Sequence, residues 1–254
     1  MNGQPEIALV TGGARRIGRA IALDLAAHGF AVIVHVHGST EEGDEVVEAI
    51  EQAGGRAAVL DADLTDMRRV ETVLDEAASH FGPPTLLVNN ASLFENDTLT
   101  EPDREVWQRH FAIHVEAPVD LSRQFALGLP AGRDGLIVNM IDQRVLKPTP
   151  QFFSYALSKT TLWAATRTMA QALAPRVRVN AIGPGPTLPS PRQSAEDFAR
   201  QTETLLLEHG PALDEFGATI RYLWQNSSIT GQMITLDGGQ HLAWRTPDVD
   251  GIAE

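Results

Sequence analysis

Between the apolar run Ile7-Ala-Leu-Val10 and a helical apolar stripe at Ala20, Ile21, Leu23, Leu25 and Ala26 stands the turn Thr11-Gly12-Gly13-Ala14-Arg15-Arg16-Ile17-Gly18. A strand that enters a helix through a glycine-rich turn leaves backbone N–H groups free at the helix N-terminus, which makes a site for a pyrophosphate. The switch from strand period to helix period then repeats along the chain. Strand-like runs at 31–36, 57–60, 85–89, 135–140, 177–182 and 232–236 alternate with helix-like segments at 40–53, 66–81, 103–129, 151–173, 195–208 and 212–225. Such alternation predicts an α/β fold, a doubly wound parallel sheet with helices on both faces. The stretch from Gly183-Pro184-Gly185-Pro186-Thr187 to Arg192 suits neither period and reads as a loop.

No internal boundary or repeat interrupts the pattern, so one domain is expected over 1–245, followed by a polar tail at 246–254. A net charge of −13 argues against a nucleic-acid backbone or an anionic membrane as partner. The absence of cysteine excludes disulfides and thiolate chemistry. No run approaches the ~18 apolar residues of a membrane span, and the first residues carry no basic-then-apolar export signal. The expectation is a cytoplasmic protein that acts on a small molecule.

Tyr155-Ala-Leu-Ser-Lys159 opens a long apolar helix, and residues four apart on a helix share a face. An ammonium beside a phenol stabilises the phenolate, so Lys159 is expected to draw the Tyr155 pKa down from its usual ~10 and make it a proton carrier. Asp142 lies thirteen residues upstream, just past a strand.

Taken together, the glycine turn, Asp63, Asn89-Asn90-Ala91, Tyr155 with Lys159, Asn180, Pro184-Gly185, Gly231 and Asp237-Gly-Gly239 resemble the short-chain dehydrogenase/reductase family along nearly the whole chain. The resemblance implies a single-domain Rossmann fold, hydride transfer with a nicotinamide cofactor and a homotetramer or homodimer. Tyr155 would be the proton donor, with Lys159 lowering its pKa and holding the nicotinamide ribose. Cofactor contacts would come from Gly12, Arg16, Ile17, Gly18, His37, Ser39, Asp63, Leu64, Asn90, Ala91, Tyr155, Lys159, Pro184, Gly185 and Thr187.

Two departures from the family pattern narrow the reading. Arg16 stands where the loop usually has its third glycine, and Asp142 where a catalytic Ser usually precedes the Tyr. Both resemble the pteridine reductases and dihydromonapterin reductases, as do His37-Gly-Ser39, Asn90-Ala-Ser-Leu-Phe94 and Met140-Ile-Asp142. Ser92, Phe94, Asp142 and Tyr155 are then the substrate contacts, with Phe94 stacking on a flat ring.

The end of the second strand carries no acid to hold an adenosine ribose and repel a 2′-phosphate. Arg16 beside the phosphate loop supplies a guanidinium, with His37 and Ser39 as further donors, so NADPH is expected; Arg15 reads as a surface charge. Glu41 is the nearby acid that would reverse this by reaching the ribose. An ionised Asp142 would oppose charge building on a carbonyl oxygen but can serve ring N–H groups, which points to C=N rather than C=O reduction. The alternatives are a carbonyl or alcohol oxidoreductase and a non-catalytic NADPH-sensing protein. His110 and His114 have a metal-compatible spacing but no third ligand, so structural roles are expected and no metal. His114 occupies the position of a family Asn that supports a relay behind the Lys. His35 and His37 share a strand face with nothing else to support a metal there.

Overall fold

The computed structural model describes residues 5–190 and 192–246. Seven parallel strands form one sheet in the order β3-β2-β1-β4-β5-β6-β7. These are β1 Glu6–Val10, β2 Phe30–Val36, β3 Arg56–Asp61, β4 Leu86–Asn89, β5 Gly135–Met140, β6 Val177–Pro184 and β7 Met233–Leu236. The helices are α1 Arg16–Ala27, α2 Thr40–Gln52, α3 Met67–Phe81, α4 Arg104–Phe111, α5 Ala117–Gly128, α6 Phe153–Leu173, α7 Ala195–Glu203 and α8 Asp214–Gln225. This is the single-domain Rossmann architecture that the alternation predicts. The tail predicted at 246–254 lies, apart from Thr246, outside the described residues.

Each face of the sheet has its own core. Ile21, Leu25, Val46, Ile50, Phe216 and Ile220, from α1, α2 and α8, pack on one. Val70, Val73, Leu121, Phe125 and Ala170, from α3, α5 and α6, pack on the other. Strands covered on both sides read as continuous apolar runs, and every residue of β2, β4 and β5 is buried. In α3 the apolar positions Val70, Val73, Leu74 and Ala77 recur at helical spacing, and the Asp66 side chain caps its first turn by accepting from Arg68 N.

Element boundaries differ from the sequence reading, most of them by one or two residues. The strand predicted to end at 182 runs on to Pro184, whose register partner is Leu236, because the next ladder bond is made by Gly185 N–H to Leu236 O and asks nothing of the proline. The helix predicted over 103–129 contains a π-helical turn at Ala112–Glu116 between α4 and α5. The helix predicted over 195–208 ends at Glu203, and the chain turns so that Leu207 N–H reaches Gly238 O.

The strand order sets the site. β1 pairs with β2 on one side and with β4 on the other, so consecutive crossovers leave in opposite directions at the carboxyl ends of β1 and β4. Ligands of open α/β sheets bind in the crevice at such a switch point.

Candidate active site

Thr11 and Asn90, each just past one of the two diverging strands, stitch the glycine turn together. Thr11 Oγ1 accepts from Asn90 N (2.8 Å) and Ala91 N (2.9 Å), and Asn90 Nδ2 donates to Thr11 O (2.8 Å) and Gly12 O (3.1 Å). A Cβ at Gly18 would stand 2.1 Å from Gly12 O, and Gly12 itself holds a φ of +63°, so both positions require glycine. The turn is thereby folded close, with the N-terminus of α1 facing the crevice. That geometry fits a dinucleotide pyrophosphate.

His35, given no role by the sequence reading, braces this turn from β2. Its Nδ1 accepts from Gly12 N (3.1 Å), and its Nε2 donates to Ala62 O (3.0 Å), which requires the neutral ring. Burial pushes the imidazole down to about 4. Because the unfolded residue titrates near ~6.5, the native state binds fewer protons than the unfolded chain between these values. This contribution is full above ~6.5 and falls by roughly 3 kcal/mol as the pH drops to about 4. Urea midpoints measured from pH 7 to 4 are expected to fall, and to fall less steeply in His35→Gln.

Three adjoining cavities line the crevice. The first, about 420 Å³, is walled by Arg15, His35, His37, Ser39, Asp63 and Leu64. The second, about 490 Å³, lies over the glycine turn and holds Gly12, Arg16, Ile17, Gly18, Asn90, Ala91 and Ser92. The third, about 390 Å³, holds Phe94, Asp142, Tyr155, Pro184, Gly185 and Thr187.

The two arginines both line the cavity over the glycine turn but reach different neighbours. Arg15 shares the first cavity with His37 and Ser39 and is paired with Glu42. Arg16 turns toward the second and third cavities, donating to Pro189 O (2.9 Å) and Leu188 O (3.1 Å). The cause is local: Arg15 is an extended helix cap, whereas Arg16 takes a left-handed φ of +52° that sends its side chain the other way.

At the far end, Asp142 starts a short helical turn after β5. Its Oδ1 accepts from Arg144 N (2.8 Å), while its Oδ2 accepts from the Tyr155 hydroxyl (2.9 Å) and faces Arg144 Nη1 (3.4 Å). Asp142 therefore both caps a turn and touches the phenol. Burial first, and then the Asp142 charge and hydrogen bond, push Tyr155 well above its ordinary value. The expectation that Lys159 draws the phenol down is corrected here, because burial and then the adjacent carboxylate raise it. The Lys159 ammonium sits 5.8 Å from the Tyr155 ring centroid, donates to Met140 O (2.8 Å) and is lowered by burial to about 8. Tyr155 is thus held protonated, with its hydroxyl donating to Asp142.

Phe94 lies edge-on to Tyr155 (4.8 Å between centroids) and stacks on Phe152 (4.2 Å). Phe152, the residue before α6, has a left-handed φ of +53° and no side-chain oxygen to cap the helix. Asp97 and Asn96 supply that cap from the irregular stretch after β4: Asp97 Oδ1 accepts from Ser154 N (2.9 Å) and Asn96 Oδ1 from Phe152 N (3.3 Å). Sequence reasoning missed both residues, since they lie 57 and 56 positions away from their partners.

His110 and His114 form two rungs between the long helix and α6. His110 Nδ1 pairs with Ser154 Oγ (2.8 Å) and its Nε2 accepts from Glu95 N (3.3 Å). Ser158 donates to Tyr155 O, so His114 Nδ1–H donates to Ser158 Oγ (2.9 Å), and His114 Nε2 accepts from Leu93 N (3.2 Å) and Ser92 Oγ (2.8 Å). Burial, together with the nearby Lys159 charge, holds His114 well below its usual value. The π-turn places His114 edge-on to Tyr155 at 5.3 Å, consistent with the way such turns cluster at functional sites.

Known proteins share this fold. The family model for short chain dehydrogenases matches residues 6–199. Crystal structures of FolM alternative dihydrofolate reductase 1 from Brucella suis and from Brucella canis, both with NADP, superimpose with a TM-score of 0.94 each. They are 57% and 58% identical to this chain, covering 97% and 96% of it and 98% and 97% of their own chains. A 3-oxoacyl-[acyl-carrier-protein] reductase of Staphylococcus aureus is 29% identical over 241 residues, 92% of this chain and 98% of that protein. The chain belongs to the short-chain dehydrogenase family and is a nicotinamide-dependent oxidoreductase of that family.

Proposed function

We propose that the protein is an NADPH-dependent reductase of a C=N bond in a dihydropteridine-like heterocycle. The observation that carries this reading is the carboxylate of Asp142 at 2.9 Å from the Tyr155 hydroxyl, in a position where a serine would suit carbonyl chemistry. Its support outside the chain is the 57% identity to a dihydrofolate reductase of this family crystallised with NADP.

Arg15, His37 and Ser39 would receive the 2′-phosphate end, the glycine turn the pyrophosphate, and Thr187 with Pro184 and Gly185 the nicotinamide end. Bound NADPH supplies the hydride. Tyr155, kept protonated by burial and by Asp142, holds the proton that a reduced ring nitrogen needs. Asp142 presents acceptor oxygens to ring N–H or amino donors, and Arg144 at 3.4 Å keeps that carboxylate in place. Lys159 stands behind the phenol as a fixed positive charge. Phe94, with one face stacked on Phe152, lines the cavity beside Tyr155 and would pack against a heteroaromatic ring there. The exposed Val119 and Leu127 on α5 and Leu157 on α6 fit the subunit contacts that the family resemblance implies.

The test is loss of reduced-nicotinamide absorbance with dihydropteridines against a panel of ketones and aldehydes. Turnover restricted to dihydropteridines is expected. Turnover restricted to carbonyls would overturn the reading, and tight NADPH binding without turnover of either set would favour a sensor.

A further inference from the structure

The hydrogen bonds around His114 form a chain whose direction is fixed at every link. Ser158 Oγ donates to Tyr155 O (2.8 Å), and a carbonyl can only accept. Ser158 Oγ therefore receives the Nδ1 proton of His114 (2.9 Å), which leaves Nε2 of the buried, neutral ring bare. Leu93 N–H is directed at that nitrogen (3.2 Å), and Ser92 Oγ lies 2.8 Å from it. Two polar atoms that close need a proton between them, and only Ser92 has one to give. The other acceptor within its reach, Leu93 O, is 3.4 Å away. The single hydroxyl proton of Ser92 is thus turned inward, onto His114.

The inner end of the chain is a main-chain carbonyl of α6, which cannot pass a proton on, so the chain orients and does not relay. The Lys159 ammonium donates elsewhere, to Met140 O (2.8 Å). The outer end is Ser92, which is exposed. It lines the cavity over the glycine turn and the cavity of Arg15, His37 and Ser39, and not the one that holds Asp142 and Tyr155. A hydroxyl whose proton is engaged offers such a crevice only lone pairs. Phosphate oxygens are acceptors as well, and two acceptors do not bond. The donors that a nicotinamide dinucleotide carries next to its pyrophosphate are ribose hydroxyls.

We propose that His114 is a positioning residue that makes Ser92 a hydrogen-bond acceptor only, so that Ser92 recognises a hydroxyl of the nicotinamide-side ribose and not the phosphate oxygens. The proposal rests on nicotinamide use and is independent of which substrate is reduced. His110 provides an internal control. It makes the same kind of rung, with Ser154 Oγ at Nδ1 (2.8 Å) and Glu95 N at Nε2 (3.3 Å), but it holds no hydroxyl that lines either cavity.

The test is binding, measured by titration calorimetry with two probes. One is 2′-phospho-ADP-ribose, which carries the second ribose without nicotinamide; the other is 2′-phospho-AMP, which stops before it. Ser92→Ala is expected to weaken the first about tenfold, as befits one hydrogen bond, and to leave the second unchanged. Equal weakening of both probes, or of neither, would overturn the assignment, because the hydroxyl would then serve phosphate or nothing. His114→Phe is expected to weaken the ribose probe roughly threefold or more in the wild-type background and to add nothing in the Ser92→Ala background. Losses that simply add would overturn it, since His114 would then act by a route other than Ser92. His110→Phe should lower the melting temperature, as His114→Phe does, yet leave both affinities unchanged. A loss of affinity there equal to that in His114→Phe would show that only the suspension of the loop matters. Should His114→Phe fail to fold, His114→Gln takes its place: its amide oxygen can accept from Ser92, so the ribose probe should bind within about threefold of wild type. A loss as large as that in Ser92→Ala would overturn the proposal.

Discussion

Replacing Lys159 by methionine is expected to reduce turnover by at least about a hundredfold while raising the unfolding temperature. Lys159 is 3% exposed and donates to the Met140 carbonyl, and its burial lowers it from 10.5 to about 8. A basic group whose native pKa lies below its unfolded value costs stability wherever both states are charged, here roughly 3 kcal/mol at neutral pH. Between about 8 and 10.5 the unfolded chain binds more protons than the native one, so this penalty is relieved as the pH rises. Methionine matches the length of the stem, fills the same space and carries no charge to desolvate. Scanning calorimetry of both proteins at pH 7 and pH 10 checks this. The variant should be the more stable at pH 7, with the gap closing at pH 10. A fall in stability at pH 7 would mean that the ammonium is held by more than the Met140 carbonyl.

Asp142→Ser is expected to lower kcat/KM for a dihydropteridine by about a hundredfold or more and to bring carbonyl reduction up from background. The carboxylate is the acceptor of the Tyr155 hydroxyl and one cause of its raised pKa. Removing the charge makes the phenol a stronger acid and takes away the acceptor for ring N–H groups, while lifting the repulsion that a developing alkoxide would meet. Asp142→Asn separates chemistry from architecture, since its amide oxygen can still accept from Arg144 N as the carboxylate does. Loss in both variants assigns the effect to charge. Full activity in Asp142→Asn would show that only the cap matters. The pH–rate profiles give an independent readout: the limb due to Tyr155 should move to lower pH in both variants.

The glycine turn and the long-range contacts around it draw on different parts of the chain, and so differ in how far they were legible beforehand. The glycine turn, the strand–helix alternation and the pair Tyr155–Lys159 are local patterns. A period of two or of 3.6 is written in consecutive residues, and a spacing of four on a helix fixes a shared face before anything packs. The π-turn at Ala112–Glu116 left no such mark, because it follows from how the long helix docks on α6 through His110–Ser154 and His114–Ser158.

The sequence by itself thus determined the doubly wound sheet, the place of the glycine turn and the shared helix face of Tyr155 and Lys159. It did so because backbone geometry and apolar periodicity are short-range. Tertiary structure alone decided which arginine faces His37 and Ser39, that Asp97 and Asn96 cap α6, that His35 braces the glycine turn, and that Ser92 meets His114. It also decided the direction of the Tyr155 shift, upward and not downward. Each of these depends on residues brought together across the sheet, and on the loss of water around them. Desolvation and long-range contact are properties of the packed interior, and no spacing along the chain encodes their sign.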